Sequence, residues 1–187
     1  LGLAAMHVGI PYAPISPAYS LVSTDFGKLK HCLSLLRPGL VFASDGERFS
    51  RALAAAVPEN CEVVVATRPP SGRKVTLFQD LERDVSDAVS QAHAGVRPDT
   101  VAKFLFTSGS TGMPKGVINT QRMLCCNQQQ ILQGLPFLGE EPPVLIEWSP
   151  WHHTAAGNHQ FGIVLNNGGS YYIDDGRPAP GLIEKTV

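Results

Sequence analysis

The run FTSGSTGMPKG, Phe106 to Gly116, gathers glycines and hydroxyl side chains around a single lysine. Gly109, Gly112 and Gly116 allow backbone N–H groups to turn inward with no Cβ in the way, and Ser108, Ser110 and Thr111 add hydroxyl donors. Lys115 supplies a compact positive charge of the kind that neutralises a polyphosphate. The nucleotide loop G-x-x-x-x-G-K-[ST] is excluded, because Gly112 stands three residues before Lys115, Pro114 precedes the lysine and Gly116 follows it. Composition alone leaves a merely flexible strand-to-helix turn open.

A second cluster lies in SPWHHTAAGNHQF, Ser149 to Phe161. His152, His153 and His159, with Asp174 and Asp175 further on, raise the question of zinc. Their spacing repeats no H-x-x-x-H pattern on an evident helix, so no metal ligand set is assigned. His159 reads as a hydrogen-bonded structural histidine. Asp174-Asp175-Gly176 reads as turn chemistry, since adjacent carboxylates on a strand face opposite ways. Trp148 and Trp151 read as core or pocket wall, and Gln128-Gln129-Gln130 as the polar face of a helix.

These groups need elements to position them. LGLAAMHVGIPYAP reads as the last turn of an apolar helix leading into a strand, and Pro11 to Ser20 as an extended, turn-rich connection. Thr24 is a candidate N-cap for a helix whose Phe26, Leu29, Cys32, Leu33 and Leu36 share one face and which stops at Pro38-Gly39. Strands are predicted at Leu40–Ser44, Cys61–Thr67, Val101–Thr107, Pro143–Trp148 and in GSYYIDD. Helices are predicted at Glu47–Val57, around Asp84–His93, at Gln121–Leu132 and at Asn158–Leu165, and Arg68–Lys74 reads as a loop. Alternating strands and helices argue for an α/β layered sandwich with a largely parallel sheet. In such a sheet ligands bind at the carboxyl ends of strands, which is where Thr107 to Gly116 falls.

The 187 residues are 43% hydrophobic, enough for one domain with a substantial core. Fifteen basic against sixteen acidic residues, with no Lys/Arg block, provide no electrostatic footprint for nucleic acid or an anionic membrane. A small-molecule partner is expected. No apolar run approaches the roughly 20 residues of a membrane span, and no charged segment leads into a signal-like core, so a cytoplasmic protein is expected. Cys32, Cys61, Cys125 and Cys126 are expected to be buried free thiols, since a chain with a good core needs no staples. Leu1 in place of Met and the unfinished PAPGLIEKTV lead to the expectation of a segment from a longer protein.

FTSGSTGMPKG resembles, without a gap, the signature loop of the adenylate-forming acyl-CoA synthetases, adenylation domains and luciferases. GIPYAPISPAYS, Gly9 to Ser20, is similar to their upstream segment, and Ser149 to Phe161 to their later histidine motif. Within that superfamily, TSGSTGMPKGVINTQRMLCCNQ and NNGGSYYIDDGRPAPGLI look most like feruloyl-CoA synthetases. The resemblance implies that residues 1–187 are an incomplete AMP-binding domain, the central part of the large N-terminal domain, with the C-terminal lid domain absent. It implies ATP, Mg²⁺ and coenzyme A as substrates of the full-length enzyme, and a hydroxycinnamate such as ferulate as the acid. The carboxylate attacks the α-phosphate, pyrophosphate leaves, and the acyl-adenylate passes to the CoA thiol.

Carried over by motif position, Thr107, Ser108, Gly109, Ser110, Thr111, Gly112 and Lys115 cradle the departing phosphates. Lys115 and His153 are the catalytic pair, and Trp151, His153, Thr154 and Ala155 contact the acid. The chain departs from the pattern at Ala156, where the family has Gly, at Ala155, where an aromatic is expected, and at His152, where feruloyl-CoA synthetases tend to have Asn. The adenine, ribose and hinge motifs of the family are not in this sequence, so the isolated segment is expected to have no turnover. Two alternatives stand beside this reading: an adenylation domain that loads a carrier protein, and a nucleotide-binding module without catalysis.

Overall fold

The computed structural model describes residues 1–82, 86–107, 112–174 and 181. In chain order the elements are α1 (Gly2–His7), α2 (Ala18–Leu21), α3 (Gly27–Leu36), β1 (Leu40–Asp45), α4 (Gly46–Ala56), β2 (Glu62–Thr67), β3 (Thr76–Leu77) and α5 (Asp87–Ala94). Then follow β4 (Val101–Thr107), β5 (Lys115–Thr120), α6 (Gln121–Gly134), β6 (Val144–Glu147), a π-helical segment Ala155–Gln160, α7 (Phe161–Asn167) and β7 (Ser170–Ile173). The chain divides into two compact units. One holds the described residues of Ile15–Gln91 and Phe106–Gly116; the other holds Leu1–Pro14, Ala92–Leu105 and the described residues from Val117 onward.

The unit containing residues 15–91 is a three-stranded parallel sheet in the order β1-β2-β3, with Phe42 opposite Val64 and Val64 opposite Thr76. Parallel neighbours need a crossover, and α4 supplies the one between β1 and β2. The middle strand is covered on both faces: Val63, Val64 and Val65 are all at most 2% exposed, which accounts for its unbroken apolar run. Phe26, Leu29 and Leu33 from the α3 region join Ala52, Leu53 and Val57 over this sheet. Asp45 caps α4, its Oδ1 accepting the Arg48 N–H at 3.1 Å, and its other oxygen pairs with Arg68. Arg73 donates to the carbonyls of Leu53, Val57, Pro58 and Cys61, tying the far end of the same helix to the turn that leads into β2.

The other unit holds a second parallel pair, β6 with β7, running from Val144 opposite Ser170 to Glu147 opposite Ile173. β4 and β5 form a two-stranded sheet, with Tyr12 bridging to Lys103 in parallel. α6 is capped by Thr120, whose hydroxyl accepts the Met123 N–H. The α/β class and the parallel pairing follow the sequence reading, with the strands distributed over three sheets.

Several expectations are corrected. Thr24 does not cap α3: Phe26 adopts a left-handed φ of 56°, so the helix begins at Gly27, while Ser23 Oγ and Asp25 Oδ1 receive the N–H groups of Phe26 and Gly27. The extended stretch from Pro11 ends in helix α2, and the strand expected after α1 is one isolated bridge at Tyr12. β3 and β5 were not predicted. Cys125 and Cys126 are exposed on α6, while Cys32 and Cys61 are buried. Gln128 is 7% exposed, so it does not belong to a solvated face. Of the helix expected from Asp84, the described part is α5; Asp84 lies outside the described residues.

Candidate functional site

The glycine-rich run joins two strands. Thr107 ends β4 and Lys115 opens β5, so the lysine backbone is fixed by strand pairing instead of lying in a turn that leads to a helix. Ser108, Gly109, Ser110 and Thr111 lie outside the described residues. Gly112 takes a φ of 84°, a conformation in which any Cβ is strained. Gly116 has no such need, since a Cβ there would meet the Phe106 ring at an ordinary 3.6 Å. The Thr107 hydroxyl reaches the Lys115 carbonyl at a long 3.5 Å. Pro114 is fully buried, and its carbonyl is 3.0 Å from His31 Nε2 on α3. The backbone just before Lys115 is thereby tied down, while Lys115 itself is exposed.

The histidine motif begins where β6 ends. Glu147 is 8% exposed and its Oε1 accepts the N–H groups of Trp148 and Ser149 at 2.9 and 2.6 Å. Burial raises this carboxyl, but the donors from Ser149 and Trp148 outweigh it and hold the group below its ordinary range. The chain then turns, with His153 N–H bonding to the Pro150 carbonyl and Gly157 N–H to the His153 carbonyl. The rings of His152 and His153 lie 4.6 Å apart; burial first, and then His153, push the His152 imidazole down.

From Ala155 the chain widens into a π-helix, a form concentrated at functional sites. Beside it opens a pocket of about 490 Å³ lined by Thr154, Ala155, Asn158 and His159, with Asn119 from β5 and Met123, Leu124 and Asn127 from α6. Of the residues assigned to the acid, Thr154 and Ala155 come together on this wall. Trp151 instead packs in an aromatic cluster with Phe161 at 4.9 Å and Tyr171 at 6.1 Å. His153 occupies the turn that leads into the π segment. His159, read as structural, lines the pocket.

Asn119, Asn127 and Asn158 were not identified from sequence. The only available signal was the spacing of Met123, Leu124 and Asn127, which puts them on one side of α6. Asn158 Nδ2 donates to Asn119 Oδ1 at 2.9 Å and to the Thr154 hydroxyl at 3.3 Å. Its Oδ1 is buried and accepts no bond among the described residues. Among the described residues no three His, Cys, Asp or Glu side chains form a metal-holding group, and no helix is long and apolar enough to cross a membrane.

The fold has counterparts of known class. The family described as AMP-binding enzyme matches residues 1–186, and the chain belongs to that family. It is 30% identical over 140 residues to TtuA of Teredinibacter turnerae, a medium-chain-fatty-acid–[acyl-carrier-protein] ligase, covering 71% of this chain and 21% of that one. It is 38% identical over 66 residues to 4-coumarate-CoA ligase 2 of Narcissus pseudonarcissus, covering 35% of this chain and 11% of the other. Among solved structures it is similar to a malonyl-CoA ligase in complex with methylmalonyl-CoA and AMP, with a TM-score of 0.65 and 25% identity over 92% of this chain and 31% of that one. The chain thus spans about a fifth of the length of TtuA.

Proposed function

We propose that this chain is part of the large N-terminal domain of an enzyme that activates a carboxylic acid with ATP, forming an acyl-adenylate and then an acyl-CoA. The family match over residues 1–186 supports adenylate formation, and the observation that carries the acid site is the pocket in which Thr154 and Ala155 stand beside three carboxamides. In this reading the acid carboxylate attacks the α-phosphate, with His153 beside the reacting group. Lys115, Thr107 and the loop between them neutralise the pyrophosphate as it leaves, stabilising charge that develops only during the reaction. Mg²⁺ would enter with ATP and offset part of the phosphate charge.

The acid is a hydroxycinnamate such as ferulate. An alkyl tail placed against Asn119, Asn127 and Asn158 would desolvate three amides and give nothing back. A phenolic or methoxylated ring can instead form hydrogen bonds with carboxamides that line the pocket. The stretch shared with a 4-coumarate-CoA ligase supports this choice. The similarity to TtuA favours a second reading, loading of the acid onto a carrier protein.

The deciding experiment measures pyrophosphate release by the full-length protein with ATP and Mg²⁺ against ferulate, coumarate, benzoate and a medium-chain fatty acid, with and without CoA. Release driven by hydroxycinnamates with CoA consumed supports the synthetase. Release without CoA use favours carrier loading, and none with any acid removes the enzymatic reading.

Ala155 is the pocket residue that most simply sets breadth. Ala155→Phe fills part of the cavity, and bulkier, methoxylated acids are expected to lose about tenfold in kcat/KM relative to benzoate. Competition assays check this, and an unchanged acid range would show that Ala155 does not set breadth.

A further inference from the structure

Lys103 lies within β4 and is 2% exposed. Among the described residues no carboxylate pairs with it. Burial alone pushes its pKa down to about 8. A well-packed apolar side chain commonly serves stability at least as well as a buried charge, so the ammonium calls for another reason. Its contacts supply one. Nζ donates to the Gly157 carbonyl at 2.6 Å, across 54 residues of sequence, and lies 5.8 Å from the centre of the Tyr12 ring.

Gly157 and its neighbour are the most heavily tied residues of the π segment. Besides the Lys103 bond, Gln128 Nε2 on α6 donates to the Asn158 carbonyl at 3.0 Å, and the Asn158 side chain donates to Asn119 on β5. Three elements, β4, β5 and α6, thus hold two consecutive residues. A π-helical turn is wider than an α-helical one and is rarely kept without such outside support. Thr154, Ala155, Asn158 and His159 take their places on the pocket wall from that turn.

We infer that Lys103 is a positioning residue for the acid site, holding the π-helical Ala155–Gln160 in register through the Gly157 carbonyl. The inference rests on the proposed function only in taking the pocket as the acid site. Lys103→Met in the full-length protein removes the donor at similar length and apolar bulk. The KM for the acid is expected to rise about tenfold while the KM for ATP stays within about twofold, because a small displacement of a substrate-contacting wall is enough for such a loss. Amide exchange at residues 155–160 is expected to quicken about tenfold, with the interior of α7 unchanged.

An unchanged acid KM with unchanged exchange overturns the inference, and so does an equal loss in both KM values, which marks a general structural role. If Lys103→Met does not fold, Lys103→Gln, shorter and neutral but polar, is read in the same two assays. A wild-type protein without acid-dependent pyrophosphate release would remove the functional reading alone. Exchange at residues 155–160 then decides the role of Lys103 by itself.

Discussion

Lys115→Ala is expected to lower acid-dependent pyrophosphate release by about two to three orders of magnitude, the size of effect seen when a preorganised partner of developing charge is removed. The loss should fall mainly on kcat, because the charge on the departing pyrophosphate is larger in the transition state than in bound ATP. Folding should be nearly untouched, since Lys115 is exposed and exposed positions away from caps and special backbone shift stability by about 0.5 kcal/mol or less. Lys115→Arg keeps the charge but spreads it over a planar fork, so partial recovery is expected. The assay is single-turnover pyrophosphate release at saturating acid with the full-length protein. A loss confined to the KM for ATP would make Lys115 a ground-state anchor and remove it from the catalytic pair.

The second large effect falls on the scaffold. Gly157 is buried, and a Cβ built there would overlap the Trp151 carbonyl, which is backbone and cannot swing away. Gly157→Ala therefore has to push the π segment off the turn that precedes it. Overpacking of this kind costs about 1–3 kcal/mol. Urea unfolding is expected to show a lowered midpoint with an unchanged slope, and the acid KM should rise because Thr154 and Ala155 move with the segment. An unchanged midpoint would mean that the turn at Trp151 has room to give.

Which parts of the architecture could be read in advance follows from the range of the interactions involved. The β-branched Val63-Val64-Val65 run announces a strand, and that signal is local. β5 escaped notice because Lys115 to Ile118 are all exposed and show no alternation, so its strand character comes from pairing with β4. Phe26 in a left-handed conformation could not be foreseen: Ser23, Thr24 and Asp25 are all plausible caps, and the choice among them depends on burial of the Phe26 ring. Gln128 was misread for a similar reason, as its partner, the Asn158 carbonyl, is 30 residues away. The signature loop and histidine motif were legible as strings of residue types. The carboxamide wall was not, because Asn119, Asn127 and Asn158 meet only through the fold.

The four thiols fall into two kinetic classes. Cys125 and Cys126 stand exposed on α6, whereas Cys32 is fully buried with its thiol pushed up to about 11 by desolvation, and Cys61 is buried and shifted the same way for the same leading reason. At neutral pH an alkylating reagent should therefore add two labels at once. The remaining two should appear only as fast as the β1-β2-β3 unit opens to expose them. The chain thus carries a chemical clock for its own parallel-sheet core, read by the masses of successive adducts, and four labels appearing together would show that the core opens faster than the reagent reacts.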